Sequence, residues 1–411
     1  MSNYRTYIIA KHAPTDELDA LNHLGGRIYS KTVSLVRKTH RKKGLWLSQV
    51  DAKKYLKFKE YPCHAHSVQA IIDDYYGALK SYFSRVKKDP TSKPPYRTRK
   101  FHTFTWRASG ISCNGTQLKL SRGRGREPII LDLARPFQNK VPTEVSMVFN
   151  RDSRCYEFHA TYAVGTLKGN PKPNKTVAVD MGEIHPIVCF DGNSVAIYNG
   201  RLHRAITQYR EKFLAQINRM LSRCKRGSHR YKQLKRTKRR VLYKLANQIR
   251  DYRHKITSRF VSACRVKRVQ TIAIGALTHI RQSINYSKKS NQKLHQWPFA
   301  QITNMIEYKA ENVGIKTDTV DEAYTSQTCP RCGHRHKSSN RNYHCKQCDF
   351  SYHRDGVGAI NLWRKYQEWL LAPVVGPLAS PVGVRFHWHL CRLDSWSPTR
   401  GLISKKPVMS R

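Results

Sequence analysis

The stretch "TVAVDMGEIHPIVCFDGNSVAIYNG" occupies residues 176–200. Two short apolar runs within it, "TVAVD" and "HPIVCFDG", read as strands. Asp191-Gly192 marks a hairpin turn into a third strand, "SVAIYNG". A long helical pair follows over roughly 201–263. "RVQTIAIGAL" then reads as a buried strand, "WPFAQITNMIEYKAENVG" as a helix, "IKTDTV" as a strand and "DGVGAINLWRKYQEWL" as a helix. Three strands in a meander, then α, β, α, β, α, is the order of an RNase H-like α/β fold.

That order says where to look for acids. Nucleases of this fold hold two divalent ions with carboxylates from separate elements, and the ions activate water and stabilise the leaving oxygen. Asp180 ends the first strand, where an unpaired charge is costly, so an idle carboxylate is unexpected. Asp355, in "YHRDGVGAIN", opens the last helix; its plainer reading is an N-cap. The fourth strand carries Gly275 and Ala276 and no acid. The next strand carries Glu322 at its end. The first, fourth and fifth strands run side by side in this fold, so an acid at the end of one could serve in place of an acid on its neighbour. The plainer reading of Glu322 is a solvated loop charge. Asp318 and Asp321 are weaker candidates, and strand alternation puts Asp321 on the opposite face.

Directly after Glu322 comes Cys329-x-x-Cys332, and after twelve residues Cys345-x-x-Cys348. Two such knuckles bind one tetrahedral ion through four thiolates, and zinc suits the set. A full thiolate set leaves no open position, so the ion is expected to be structural. Disulfides or a redox pair are the alternatives. His334, His336 and His344 read as surface residues. The other seven of the eleven cysteines are scattered singly, which fits a reducing compartment.

Upstream the pattern changes twice. Residues 4–10 read as a strand. Apolar residues then recur at helical spacing, first Leu18, Leu21, Leu24, Ile28 and Val36, then Val68, Ile71, Ile72, Tyr75, Leu79, Tyr82, Phe83 and Val86. From 101 to 165 short strands dominate, among them "FHTFTWRA", "QLKLS", "IILDL", "EVSMVF" and "YEFHATYAV". This predicts a small β-barrel with a helical insertion after its first strand. "TLKGNPKPNK" is a linker, and the polar "RQSINYSKKSNQKLHQW" reads as a lid beside the fourth strand.

The chain has 411 residues, with 76 Lys and Arg against 27 Asp and Glu, a formal charge of +49. Such an excess repels itself unless a polyanion neutralises it, and nucleic acid is the expected partner. No apolar window is long enough to span a membrane, and the N-terminus does not read as a signal peptide. Residues 201–268 hold 23 Lys and Arg against two acids, Glu211 and Asp251. Leu234, Val241, Leu242, Leu245 and Ile249 form a buried stripe there, so the run predicts a helical hairpin whose outer face, with Lys225, Arg226, Arg236, Arg239 and Arg240, meets phosphates. "KPPYRTRKFHTFTWR" mixes Arg97 and Lys100 with aromatics including Trp106, which suits docking on RNA; a strand core with basic ends is the alternative.

"AVDMG", "EAYTSQTCPRCG…YHCKQC" and "HRDGVGAINL" together resemble the TnpB family, compact RNA-guided DNA endonucleases related to type V CRISPR effectors. The resemblance is strong over 176–365 and architectural upstream. It implies a multidomain α+β chain. A wedge β-barrel (1–15 and 95–165) would carry an inserted helical recognition domain (16–94), and 166–175 would be the linker. A RuvC nuclease domain (176–325 and 353–371) would include the basic hairpin 201–268 and carry the zinc ribbon (326–352), with a disordered basic tail at 372–411. It further implies one structural Zn2+, two catalytic Mg2+, a guide RNA from the element's end, a double-stranded DNA target beside a short motif, one protein per guide, and a cytoplasmic, nucleoid-associated prokaryotic setting. Asp180 and Asp355 match the first and third RuvC acids. The second acid of most members falls at Gly275, where this sequence departs. A subset carries a rearranged glutamate near "E-x-Y-T-S", and Glu322 matches that placement. The departure keeps two alternatives open: a nuclease-dead RNA-guided repressor, and a transposase of the same fold.

Overall fold

A computed structural model describes residues 3–56, 60–165, 175–276, 287, 290–292, 297–338, 340–368, 378–387 and 392–396. It divides into two compact units, Met1–Gly165 and Thr166–Arg411. The architecture is mixed α/β.

The first unit opens with β1 (Asn3–His12) and three helices, α1 (Asp16–Lys43), α2 (Gln49–Tyr55) and α3 (Ala65–Val86). Thr15 caps α1 by accepting from the Leu18 amide at 3.3 Å, three acids fill its first turn, and Gly44 ends it at φ 68°. Six strands follow: β2 (Phe104–Arg107), β3 (Ile111–Asn114), β4 (Gln117–Leu120), β5 (Ile129–Asp132), β6 (Glu144–Asn150) and β7 (Cys155–Val164). These pair as two antiparallel sheets, β1-β7-β6-β2 and β3-β4-β5, where a single barrel was expected. Buried residues of the helices and both sheets merge into one apolar core, with Ile28, Ile71, Trp106 and Phe158 at its centre.

In the second unit β8 (Thr176–Asp180), β9 (Ile187–Phe190) and β10 (Val195–Tyr198) form the meander. Helices α4 (Arg201–Ser222) and α5 (His229–Val266) make the basic hairpin. Then come β11 (Thr271–Ala276), α6 (Phe299–Asn312) and β12 (Lys316–Asp321). A short hairpin, β13 (Asn342–His344) and β14 (Ser351–His353), precedes α7 (Arg354–Tyr366). Two further strands, β15 (Val382–His387) and β16 (Arg392–Trp396), complete a seven-stranded sheet of order β12-β11-β8-β9-β10-β15-β16.

Alternation along β8 and β11 sorts the two faces. Val177, Val179, Ile272 and Ile274 pack with Tyr252, Ile256 and Phe260 of α5 and Ile302 and Ile306 of α6. Ala178 and Ala273 meet Leu362 of α7 on the other face.

The last two strands correct the expectation of a disordered tail. β15 runs parallel to β10, covering an edge that would otherwise expose unpaired backbone, and buries Phe386 beside Tyr252. Pro381 and Gly383 interrupt the apolar alternation, which hid the strand. The rest of the tail, nearly all of the linker and most of the expected lid lie outside the described residues.

Candidate active site

β8 and β11 pair in parallel, with Val179 opposite Ile274, so Asp180 and Gly275 are neighbours at the strand ends. By alternation both face α7. β12 continues the register, with Gly275 opposite Val320, and Glu322 follows two residues later on the same face. Its side chain folds back over the glycine. A Cβ at Gly275 would lie 2.6 Å from Glu322 Oε2 and 3.5 Å from Leu362 Cδ2. The carboxylate on one strand end therefore fills the space above its neighbour. Gly358 of α7 plays the matching part for Asp180: a Cβ there would collide with the Asp180 carboxylate.

Asp355 is the second residue of α7, and the cap position belongs to His353, which makes no capping bond. The Asp355 carboxylate is engaged elsewhere: its Oδ2 accepts from His185 Nδ1 at 2.7 Å and from Arg341 Nη1 at 2.6 Å. His185 comes from the β8–β9 loop and Arg341 from the segment just before β13.

These surroundings divide the three acids electrostatically. The Asp180 carboxyl is pushed well above the usual carboxylate range, first by burial and then by the charges of Glu322 and Asp355. Glu322 rises to about 7, again through burial first and then through Asp321. Burial also acts to raise Asp355, but the His185 hydrogen bond and the charge of Arg341 outweigh it and hold Asp355 at about 2. Glu322 Oε2 is buried and has no hydrogen-bond partner. An uncompensated carboxylate oxygen beside two more carboxylates is a place for a cation.

The neighbouring acids stay outside this cluster. Asp318 Oδ2 accepts from Tyr366 Oη at 2.6 Å and from Lys316 Nζ at 2.9 Å. Asp321, expected on the opposite face, sits exposed at the sheet edge, where its carboxylate reaches Lys365 of α7 at 2.5 Å. An edge strand leaves room for a long lysine to wrap around to it.

Cys329, Cys332, Cys345 and Cys348 bring their sulfurs within 4.8 Å of one another. The Cys329–Cys348 and Cys332–Cys345 separations are 3.6 and 3.5 Å, far beyond a disulfide and near the ~3.8 Å edge of a tetrahedral ZnS4 centre. Gly333 takes φ 76° where the first knuckle turns, and its amide donates to the Cys329 carbonyl at 2.9 Å. The module is tied to α7. Asn361 Nδ2 donates to the carbonyls of Thr325 and Thr328, each at 2.7 Å, and Arg364 Nη1 donates to the Pro330 carbonyl at 2.5 Å. His334 and His344 are exposed, while His336 packs on Tyr343.

Lys225 and Arg226 lie exposed in the α4–α5 turn, and Arg236, Arg239 and Arg240 lie exposed on α5. Arg97 and Lys100 are exposed in the first unit, where Lys100 lines a cavity of about 800 Å³ with Asp16, His23 and Phe101. Trp106 is not at the surface. It is fully buried and its Nε1 donates to the Ser121 carbonyl at 2.7 Å, so it cannot meet a nucleic acid; the strand-core alternative describes it. Sequence reasoning missed His185, Arg341, His353 and Gly358. A histidine two residues before Asp355 and a glycine three after it were the available signals.

A family model described as "Probable transposase" matches residues 155–281, and one described as the Cas12f1-like TNB domain matches 299–362. A TnpB-like protein of Methanocaldococcus jannaschii is 31% identical over 183 residues, 44% of this chain and 60% of that protein. Over these regions the chain is similar to proteins of the TnpB family. A second relative is the CRISPR-associated endodeoxyribonuclease Cas12f1 of an uncultured archaeon, 26% identical over 208 residues, 46% of this chain and 38% of that protein. The matches thus span 60% and 38% of the lengths of these two relatives. A solved Cas12f1–sgRNA–target DNA complex has a protein chain of similar fold, at TM-score 0.56 and 15% identity, covering 84% of this chain and 82% of that one.

Proposed function

We propose that this chain is a TnpB-family protein, an RNA-guided DNA endonuclease of a transposable element. In this reading the second unit is a RuvC-type nuclease domain, cutting through Asp180, Glu322 and Asp355 with two Mg2+. One observation carries it: the Glu322 carboxylate lies over Gly275, beside Asp180, with a buried oxygen that nothing in the protein satisfies. The missing acid on β11 is the reason to consider a nuclease-dead repressor, and the place of Glu322 over Gly275 favours the nuclease reading. A transposase would use the same acids but gives no account of the scale of the basic surface.

The residues fit divalent ions. Asp355 is held ionised, whereas Asp180 and Glu322 repel one another, and a shared cation would let both ionise. Bound Mg2+ supplies an activated water and charge stabilisation for the leaving oxygen. Gly358 lets α7 approach closely enough to hold the Asp180 carboxylate in place, and His185 fixes the orientation of Asp355. The four-cysteine module would hold one structural Zn2+ through Cys329, Cys332, Cys345 and Cys348. Lys225, Arg226, Arg236, Arg239 and Arg240 would bind a guide–target duplex through phosphates, and Arg97 and Lys100 the RNA. Among the described residues no helix is long and apolar enough to cross a membrane.

The test is cleavage of a matched DNA target by the chain with its own RNA. Asp180→Ala and Asp355→Ala should each abolish Mg2+-dependent cutting and leave RNA and target binding nearly unchanged. Wild-type cutting by either variant refutes the site.

A further inference from the structure

Next to the three-acid cluster stands a second set of donors. One ligating atom from each of His185, His353 and Asp355 falls within 4.8 Å of the other two. Both imidazoles are buried, at 3% and 4% exposure, and their rings lie edge to face with centroids 5.4 Å apart. His353 stands at the N-cap of α7 yet caps nothing, and its Nδ1 is buried without a hydrogen-bond partner. A buried imidazole nitrogen left unsatisfied is costly, and a metal ligand is one role that repays it.

A cation already sits here. Arg341 Nη1 lies 2.6 Å from Asp355 Oδ2 and 3.3 Å from His185 Nδ1. The histidines are fixed by packing, but the Arg341 side chain is 41% exposed and can swing into solvent. We propose that His185, His353 and Asp355 form a divalent site with two nitrogen donors, selective for a transition-metal ion over Mg2+, and that the Arg341 guanidinium occupies it until the ion arrives. Imidazole donors favour the later first-row ions, whereas Mg2+ favours an all-oxygen shell and keeps its waters. Asp355 would then be shared between this site and the carboxylates Asp180 and Glu322. The proposal rests on the reading of that cluster as a metal centre.

The experiment uses the full chain with its copurified RNA, labelled with 15N-histidine and given Mn2+. Pulsed electron paramagnetic resonance reads 15N coupling to bound Mn2+, and the label separates histidine nitrogen from nucleobase nitrogen. Mn2+ is the weakest nitrogen binder of the series, so it is the stringent probe. The expected result is a histidine coupling that survives excess Mg2+. It should be lost in His353→Gln, with Mn2+ binding weakened at least about tenfold. Arg341→Gln, at an exposed side chain, should instead tighten binding by about two- to fivefold, the worth of one partly exposed ion pair. Mn2+ bound without histidine coupling, and released by Asp180→Asn, overturns the proposal and leaves the carboxylate reading standing. Mn2+ held only by RNA overturns both.

Discussion

Glu322 and Gly275 occupy one space between them. A side chain at 275 and the Glu322 carboxylate cannot coexist, because a Cβ on the glycine would lie 2.6 Å from Oε2. Moving the acid back to β11 therefore requires vacating 322. We expect Glu322→Ala to abolish cleavage and Gly275→Glu/Glu322→Ala to restore part of it; a double variant no better than the single one contradicts the shared position. The same residue predicts a pH effect. Folded, Glu322 takes up its proton near pH 7 rather than at the ordinary 4.5. The folded chain thus binds this proton more tightly than the unfolded one, so the stabilisation is present below the ordinary value and lost as pH rises through about 7. Asp180 acts in the same direction. Asp355 acts oppositely: its contribution is present above the ordinary carboxylate range and lost as pH falls toward 2. Without divalent ions, Glu322→Gln should therefore melt higher than wild type at about pH 8, with the gap closing toward pH 5. Equal Tm values across that range would mean the carboxylate is not strained. Asp180, Asp355 and the cysteines were legible because each stands in a local motif. His185 and Arg341 were not, because their meeting at Asp355 depends on a loop and the cysteine module folding toward one helix end.

Among the elements, α7 is the organiser. It carries Asp355 at its start, Gly358 against Asp180, and Asn361 and Arg364 bonded to the cysteine module. Gly358→Ala should push the Asp180 carboxylate aside and cost cleavage far more than RNA binding. Cys329→Ser should release the zinc, measured by elemental analysis, and lower cleavage as well, because Glu322 lies just before the module and Arg341 within it. Zinc-free wild-type protein that cuts normally would contradict this. In the first unit α1 carries Gly25-Gly26 mid-helix, at a cost in helix propensity. The chain at Lys100 and His102 lies directly on them, and a Cβ on Gly26 would collide with the Lys100 carbonyl. Gly26→Ala should destabilise by about 1–3 kcal/mol in chemical unfolding, the usual range for overpacking. The helix periodicity was plain in the sequence; the close approach was not, because it joins residues far apart in the chain. Trp106 shows the converse error. Aromatics among cations describe an RNA surface and a buried strand equally well, and only the Ser121 carbonyl that receives its indole N–H separates the two.

For the whole molecule the dominant fact is +49 of formal charge. Binding to RNA should weaken steeply with salt, since each phosphate contact releases a counterion. Replacing Lys225, Arg226, Arg236, Arg239 and Arg240 with glutamine should flatten that slope without changing the arrangement of Asp180, Glu322 and Asp355. An unchanged slope would move the duplex interface elsewhere. The two outer strands, β15 and β16, extend the sheet beyond what apolar patterning revealed, because pairing with the β10 edge supplies what their own sequence lacks. The proposed activity requires that Glu322, at the end of β12, serve in place of an acid on β11. The direct measurement is Mg2+-dependent cleavage of a matched target by wild type, Glu322→Gln and Asp321→Asn, each loaded with the same RNA. Wild type and Asp321→Asn should cut and Glu322→Gln should not, with target binding equal in all three. Cleavage by Glu322→Gln at the wild-type rate, or none by wild type, would contradict the proposal.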